Sequence, residues 1–354
     1  MKAIMKENRG HGVSIKDVEA PVLKENEVLV KVSAVSICGS DLHMYEGMDA
    51  YSWVDTPVIL GHEFTGEVVE VQNDNHKKLL KKRVVINPYI PCGECGNCQR
   101  GLTNLCDHNQ GAMDKVAAKS LRYGFRENGG MAEYAAIYYK NVLEIPDSLS
   151  DNVAGMLEAI GIGVRALERA EILPGNTAVV IGPGPIGLSM VSSLSNYGLD
   201  KLIVTGLRKD QKRLELALEL GATDIVYADE QDPIEAVREL TAGEGVDNVF
   251  ETSGFHQSLV DAVRMGTKGS EVLLIGITPQ STDLPTNEIV RGEITVKGVY
   301  GVTEKTMKRT ISMAASGKYP YEKLVSHTFT FDEAEEGFKV GLNKEAVKVV
   351  LKPE

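Results

Sequence analysis

An α/β protein of two domains is predicted from this sequence, one domain β-rich and the other a doubly wound parallel sheet. Three observations predict it. Residues 177–187 read TAVVIGPGPIG, an apolar, β-branched run that meets Gly182-x-Gly184-x-x-Gly187 and then an apolar helical pattern over 188–194. From about residue 151, helical stretches alternate with apolar strands, the rhythm of parallel βαβ units. Before that point, short alternating or β-branched stretches are separated by Gly, Pro and Asn.

In chain order, strands are expected at 27–35 (EVLVKVSAV), 66–71 and 84–86 within a first domain of residues 1–150. The second domain, 151–296, has expected strands at 178–181, 202–205, 224–226, 248–251 and 272–275. The run at 178–181 has no polar alternation, as befits a parallel strand buried on both faces. Helical stretches lie between these strands, such as 211–220, closed by Gly221 as a C-cap. After 297 the alternation stops. Helices at 304–316 and 332–342 and a last strand at 346–351 are expected to return to the first domain.

Composition excludes several classes. A net charge of −12 argues against a nucleic-acid surface, which needs clustered Lys and Arg. The basic run 77–83 (KKLLKKR) reads as a solvated turn leading into the 84–86 strand. The first residues have no apolar signal-like core, and no stretch reaches membrane-spanning length. Five cysteines, four of them clustered, fit metal ligands in a reducing compartment better than a disulfide frame, so a cytoplasmic location is expected.

The glycines of the 182–187 turn allow backbone N–H groups to approach a pyrophosphate, and the next helix offers its positive N-terminus. Gly182, Gly184, Pro185, Ile186 and Gly187 are therefore expected to hold a dinucleotide. An ordinary tight βα turn is the alternative; a strand before and a helix after favour the nucleotide site.

Cys92, Cys95, Cys98 and Cys106 form C-x2-C-x2-C-x7-C in a Gly/Pro-rich loop. Four thiolates can surround one zinc ion tetrahedrally and leave no open position, a structural site. An iron–sulfur cluster is the rival, but the ferredoxin run continues with a three-residue spacing and a proline, whereas Asp107 follows Cys106 here. The remaining cysteine, Cys38, precedes Gly39-Ser40-Asp41-Leu42-His43, and Gly61-His62-Glu63 follows downstream. Cys38 and His62 are good zinc ligands with the Glu63 carboxylate adjacent, although each alone also suits a buried hydrophobe or an ordinary histidine.

Together, C-G-S-D-x-H, G-H-E, the four-cysteine lobe and GPGPIG resemble the zinc-dependent medium-chain alcohol/polyol dehydrogenases, nearest the sorbitol and threonine dehydrogenase branch. The resemblance covers almost the whole chain. It implies a GroES-like catalytic domain interrupted by a Rossmann domain, an active site in the cleft between them, two zinc ions per chain and a homotetramer. It further implies that Cys38 and His62 bind the catalytic zinc, with Glu63 binding directly or through water and Glu158 at a fourth position. Ser40 matches the hydroxyl that receives the substrate proton, His43 the end of the relay, and Asp41 the carboxylate that orients the zinc-bound histidine. An open zinc site polarises a carbonyl or lets an alcohol lose its proton near neutral pH, and hydride passes to the nicotinamide.

The cofactor choice follows from the second strand. NAD enzymes usually carry Asp or Glu at its carboxyl end, whereas Asp200 lies before the strand and Gly206 after it, followed by Leu207, Arg208 and Lys209. A guanidinium grips a 2′-phosphate bidentately, so NADP is favoured over NAD, held by Gly206 and Arg208 with Lys209 or Arg213. Solvated residues at a helix start are the plainer account of that pair. Glu251, Thr252, Ser253 and Gly254, with Ile275, Gly276 and Ile277, close expected strands where such folds bind ligands and are matched to the nicotinamide wall; ordinary βα turns are the alternative.

The expected reaction is hydride transfer between a secondary alcohol of a polyol or sugar and NAD(P), with Ser40, His43 and Glu63 catalytic. Sorbitol dehydrogenases tend to carry an arginine near Gly301 and threonine dehydrogenases one near Val302; this chain has neither. That weighs against a substrate carboxylate. The long polar segment 106–128 is expected to line the cleft or an oligomer interface. Two alternatives stand: threonine 3-dehydrogenase-like oxidation, and a non-catalytic nucleotide binder with structural zinc only. The joint presence of Cys38, Ser40, His43, His62 and Glu63 argues against the second.

Overall fold

The structure is a computed structural model that describes residues 1–107, 122–278 and 280–354. It divides into two compact units: Met1–Ala159 with Val302–Ala315 and Val325–Glu354, and Ile160–Gly301 with Ser316–Leu324.

The first unit holds strands β1 (Lys2–Lys6), β2 (Ser14–Asp17), β3 (Glu27–Ser36), β4 (Val58–Ile59), β5 (Glu63–Val71), β6 (Arg83–Ile86), β7 (Tyr134–Tyr138) and β8 (Val142–Glu144). The second contributes β9 (Thr177–Ile181), β10 (Lys201–Gly206), β11 (Asp224–Tyr227), β12 (Val246–Glu251), β13 (Gly266–Leu274) and β14 (Thr295–Gly298). Finally, β15 (Val325–Thr330) and β16 (Lys348–Lys352) return to the first unit.

In the first unit β2-β1-β4 form a small sheet, and β15-β16-β3-β5-β6-β8, with β7 on β3, form the large one. The alternation EVLVKVSAVS turns Val28, Val30 and Val32 into a core with Phe64, Ile86, Phe331 and Phe338. Each such side chain contributes about 1.5–3 kcal/mol by leaving water.

The second unit is a six-stranded sheet in the order β11-β10-β9-β12-β13-β14, parallel throughout. This is the doubly wound order whose direction reverses between β9 and β12. Val179, Ile203, Val249 and Val272 are completely buried in its core.

The expected domain limits shift in three places. The first division falls at 159/160 rather than 150, because Gly155 packs against Ala34 of β3 and so keeps the intervening residues with the first sheet. The second unit extends to Gly301 rather than 296, since the Val299 N–H bonds the Leu274 carbonyl. Ser316–Leu324 does not return to the first unit: the Tyr321 hydroxyl lies 2.8 Å from that of Ser193, and Asn196 donates to the Lys318 carbonyl at 3.1 Å. Among the described residues, no helix is long and apolar enough to cross a membrane. Most of the 106–128 segment, residues 108–121, lies outside the described residues.

Candidate metal centre and dinucleotide cradle

Cys38 stands at the N-cap of helix Gly39–Glu46, just past the end of β3, and His62 and Glu63 lie at the start of the neighbouring β5. Antiparallel pairing sets Ser36 opposite Glu63, which brings the two strand ends together. The ligand atoms of Cys38, His62 and Glu63 lie within 4.8 Å of one another. His62 Nε2 faces Glu63 Oε1 at 3.9 Å, and its Nδ1 faces Asp41 Oδ2 at 3.8 Å. Asp41 also accepts the Cys38 backbone N–H at 2.9 Å, which fixes the start of the helix.

The two oxygens of Glu63 differ. Oε2 takes the Ser36 hydroxyl and Lys348 Nζ, the latter at 2.5 Å. Oε1 is buried and has no hydrogen-bond partner, so its lone pairs turn toward His62. A thiolate, an imidazole and a carboxylate oxygen converging in this way are a set zinc accepts, three ligands where a tetrahedral ion takes four. Electrostatics point the same way. Burial, then the Arg122 and Lys348 charges, hold His62 well below its ordinary range and therefore neutral, the form that binds metal. Burial, then Glu63, pushes the Cys38 thiol up; a bound cation reverses this, because a coordinating thiol is deprotonated outright.

Glu158, the expected fourth ligand, is not in that group of three. It sits in the first turn of helix Leu157–Arg169, and its Oε1 is buried without a hydrogen-bond partner. Burial and then repulsion from Glu63 push its carboxyl up to about 7. Burial likewise raises Asp41 to about 7. Ser40 and His43 are three apart on one helix, hence on one face, with the Ser40 hydroxyl buried and the His43 ring exposed.

The four remaining cysteines also converge, with sulfurs within 4.8 Å of one another. Cys92 Sγ and Cys98 Sγ are 3.9 Å apart, close to the roughly 3.8 Å that tetrahedral Zn–S bonds require. Backbone N–H groups aim at the sulfurs: Glu94 and Cys95 at Cys92 (3.4 and 3.3 Å), Cys98 at Cys95 (3.4 Å) and Cys92 at Cys106 (3.4 Å). Such donors favour thiolates, and they hold Cys92 down at about 6.

In the second unit the dinucleotide motif forms a cradle. Gly184 is the N-cap and Pro185 the first residue of helix Pro185–Leu194, with Ile186 and Gly187 following. A Cβ on Gly184 would meet nothing within 4 Å, so that face is open to a phosphate. A Cβ on Gly187 would fall 2.0 Å from the Gly182 carbonyl oxygen, which shows why only glycine allows this helix–turn approach. The Thr252 hydroxyl donates to the carbonyls of Ile181 (2.8 Å) and Gly182 (3.0 Å), and Ser253 packs on Gly182. Ile275 and Gly276 both donate their N–H groups to the Glu251 carbonyl, and Ile277 is exposed at the same edge. Gly206 ends β10, and Asp200 precedes that strand. Arg208 is paired with Glu230 at 2.9 Å and its Cζ lies 4.6 Å from the centre of the Tyr227 ring, Lys209 is exposed beside it, and Arg213 faces Asp210 at 3.9 Å.

One group at these sites escapes a reading of the sequence: Lys348, at the start of β16, is a buried cation on Glu63 and resembles an ordinary strand end. Glu251, in the stretch matched to the nicotinamide wall, ends β12 as a buried carboxylate.

Residues 24–147 match the alcohol dehydrogenase GroES-like domain and residues 185–316 the zinc-binding dehydrogenase domain. The chain is 32% identical to an L-threonine 3-dehydrogenase of Bacillus velezensis, over all of this chain and 99% of that one. It is also 32% identical to a sorbitol dehydrogenase of Bacillus subtilis, over all of this chain and 97% of that one. A zinc-binding dehydrogenase of Sinorhizobium meliloti, solved bound to NADP, superposes with a TM-score of 0.90 at 28% identity, covering 99% of both chains. The chain belongs to the zinc-dependent medium-chain alcohol/polyol dehydrogenase family and is an NAD(P)-linked dehydrogenase.

Proposed function

We propose that the chain oxidises a secondary alcohol of a polyol or sugar to the ketone, and catalyses the reverse reduction, at the Cys38–His62–Glu63 centre with NADP as preferred dinucleotide. The observation that carries this reading is the convergence of those three ligand atoms within 4.8 Å. Zinc held there supplies a Lewis acid that polarises the substrate oxygen. Cys38 and His62 would hold the ion, the Asp41 carboxylate lies 3.8 Å from His62 Nδ1 on the side away from Glu63, and Lys348 keeps one Glu63 oxygen occupied so that the other faces the site. Ser40 takes the substrate hydroxyl proton, and His43, on the same helix face and exposed, passes it to water. Glu158 stands by as a further carboxylate. A second zinc ion in the Cys92–Cys106 lobe is structural.

The NADP preference is supported by the end of β10, where Gly206 stands in place of a carboxylate and Arg208 lies over the Tyr227 ring; a 2′-phosphate would take the guanidinium from Glu230. Pro185 and Ile186 start the helix that receives the pyrophosphate, Thr252 and Ser253 with Ile275–Ile277 wall the nicotinamide, and Lys209 or Arg213 adds charge near the ribose. The proposed setting is a cytoplasmic homotetramer with no nucleic-acid or membrane partner. A threonine 3-dehydrogenase-like activity is the second reading, favoured by the Bacillus velezensis relative of that name.

The test is a spectrophotometric screen of polyols, sugars, threonine and simple diols with both dinucleotides. The highest kcat/KM is expected for a polyol or sugar with NADP. Threonine as the best substrate selects the second reading, and equal or better efficiency with NAD removes the NADP preference. In zinc-loaded protein, Cys38→Ser and His62→Ala should abolish turnover while dinucleotide affinity stays within about twofold.

A further inference from the structure

β12 ends at the point where the strand order of the second sheet reverses. It pairs in parallel with β9, setting Glu251 opposite Ile181, the residue before Gly182. In open α/β sheets the ligand lies in the crevice beyond the strand ends at this reversal. The adenosine ribose falls on the β10 side of such a crevice, so the nicotinamide falls on the side of β12 and β13.

Glu251 is completely buried at that end. Its Oε1 accepts the Ser253 N–H at 2.9 Å, the Ser253 hydroxyl at 2.5 Å and the Gly254 N–H at 3.0 Å, and it lies 2.8 Å from the Ser258 hydroxyl, whose one proton it shares with the Phe255 carbonyl at 2.6 Å. This donor set matches an ionised carboxylate, which only accepts. The partners are neutral dipoles, so they hold the charge without cancelling it. The neighbouring turns press close. A Cβ on Gly276 would lie 2.6 Å from Glu251 Oε2, and one on Gly254 would lie 2.6 Å from the Ile277 carbonyl oxygen. No side chain from either glycine separates the carboxylate from the crevice edge, and water is excluded around it. In such surroundings a charge acts over several ångströms with little screening.

We propose that Glu251 makes the site distinguish the redox states of its dinucleotide, its buried negative charge favouring the oxidised form, whose nicotinamide ring carries a positive charge that the reduced ring lacks. The proposal rests on the reading of this unit as an NAD(P) site. It differs from a purely architectural role, in which Glu251 ties the 252–254 turn and its loss weakens both forms alike.

The experiment compares Kd values for NADP and NADPH, by calorimetry and fluorescence, in the wild-type full chain and in Glu251→Gln, which keeps the size and removes the charge. The ratio Kd(oxidised)/Kd(reduced) should rise about tenfold in the glutamine variant. Glu251→Asp, which keeps the charge, should hold the ratio within about twofold of wild type. Equal weakening of both forms, or an unmoved ratio, overturns the proposal. So does a tenfold change in the aspartate variant, and this result decides the matter if thermal melts show that the glutamine variant does not fold. A wild-type chain that binds neither form overturns the dinucleotide reading as well; wild-type binding with an unmoved ratio overturns this proposal alone.

Discussion

Lys348 Nζ stands 2.5 Å from Glu63 Oε2, with side-chain exposures of 3% and 0%. The pair joins β16 to β5 across β3 and decides which Glu63 oxygen faces the metal-ligand group. Burial alone would lower Lys348, yet Glu63 and Cys38 hold it above its ordinary value. Lys348→Met would strand a buried carboxylate, and breaking such a pair costs about 3–5 kcal/mol. Urea denaturation of the zinc-loaded variant should show that loss, and Lys348→Arg should recover part of it. A midpoint unchanged by methionine would refute the account.

The cysteine lobe makes a separate prediction, because its sulfurs belong to one short loop and share no residue with the Cys38 centre. Cys98→Ser should lower zinc content from two ions per chain to one and lower the Tm, since a closed four-sulfur site contributes to folding. Cys38→Ser should also remove one ion, with a smaller fall in Tm. Metal analysis beside thermal melts checks both, and Cys98→Ser retaining full zinc would contradict the assignment.

What could be read in advance was local. The strand, glycines and helix over 177–194 are contiguous, and the first three cysteines of the lobe are only three residues apart, so spacing alone carries their geometry. Lys348 was illegible because KVVLK reads only as a last strand with charged ends, while pairing with β15 and β3 buries all but its last residue. β2, SIKD, leaves three of its four residues exposed and offers no hydrophobic period. Ser316–Leu324 crosses to the second unit through Tyr321 and Lys318, contacts that no local pattern encodes. The fourth-ligand expectation for Glu158 came from the family resemblance; in the structure it starts the helix Leu157–Arg169 and stands outside the group of three.

Tyr45 carries a pH prediction. It is buried, stacks on Phe338 with ring centroids 5.0 Å apart, and donates its hydroxyl to Glu335. Burial, then that hydrogen bond, pushes its pKa from 10.0 up to about 12. The folded state therefore keeps a proton that the unfolded state releases. The resulting stability is complete below pH 10.0 and is lost as the pH rises toward about 12. Tyr45→Phe removes the titrating group, so its stability should fall less steeply than wild type across that window. Parallel slopes in urea titrations at successive pH values would count against it.

The two glycines of the cradle should respond differently to the same methyl group. At Gly187 an added Cβ meets the Gly182 carbonyl oxygen at 2.0 Å and Thr252 Oγ1 at 2.8 Å, so the helix must move off the turn. Gly187→Ala should lose stability by about 1–3 kcal/mol, as overpacked sites do, and lose dinucleotide binding with it. At Gly184 the Cβ meets nothing within 4 Å, and φ is −73°, which any residue tolerates. Gly184→Ala should melt within about 1 °C of wild type and yet bind dinucleotide at least tenfold more weakly, because the methyl occupies the space through which a pyrophosphate approaches the helix N-terminus. Equal affinities for Gly184→Ala and wild type would mean that the phosphate does not sit on this turn.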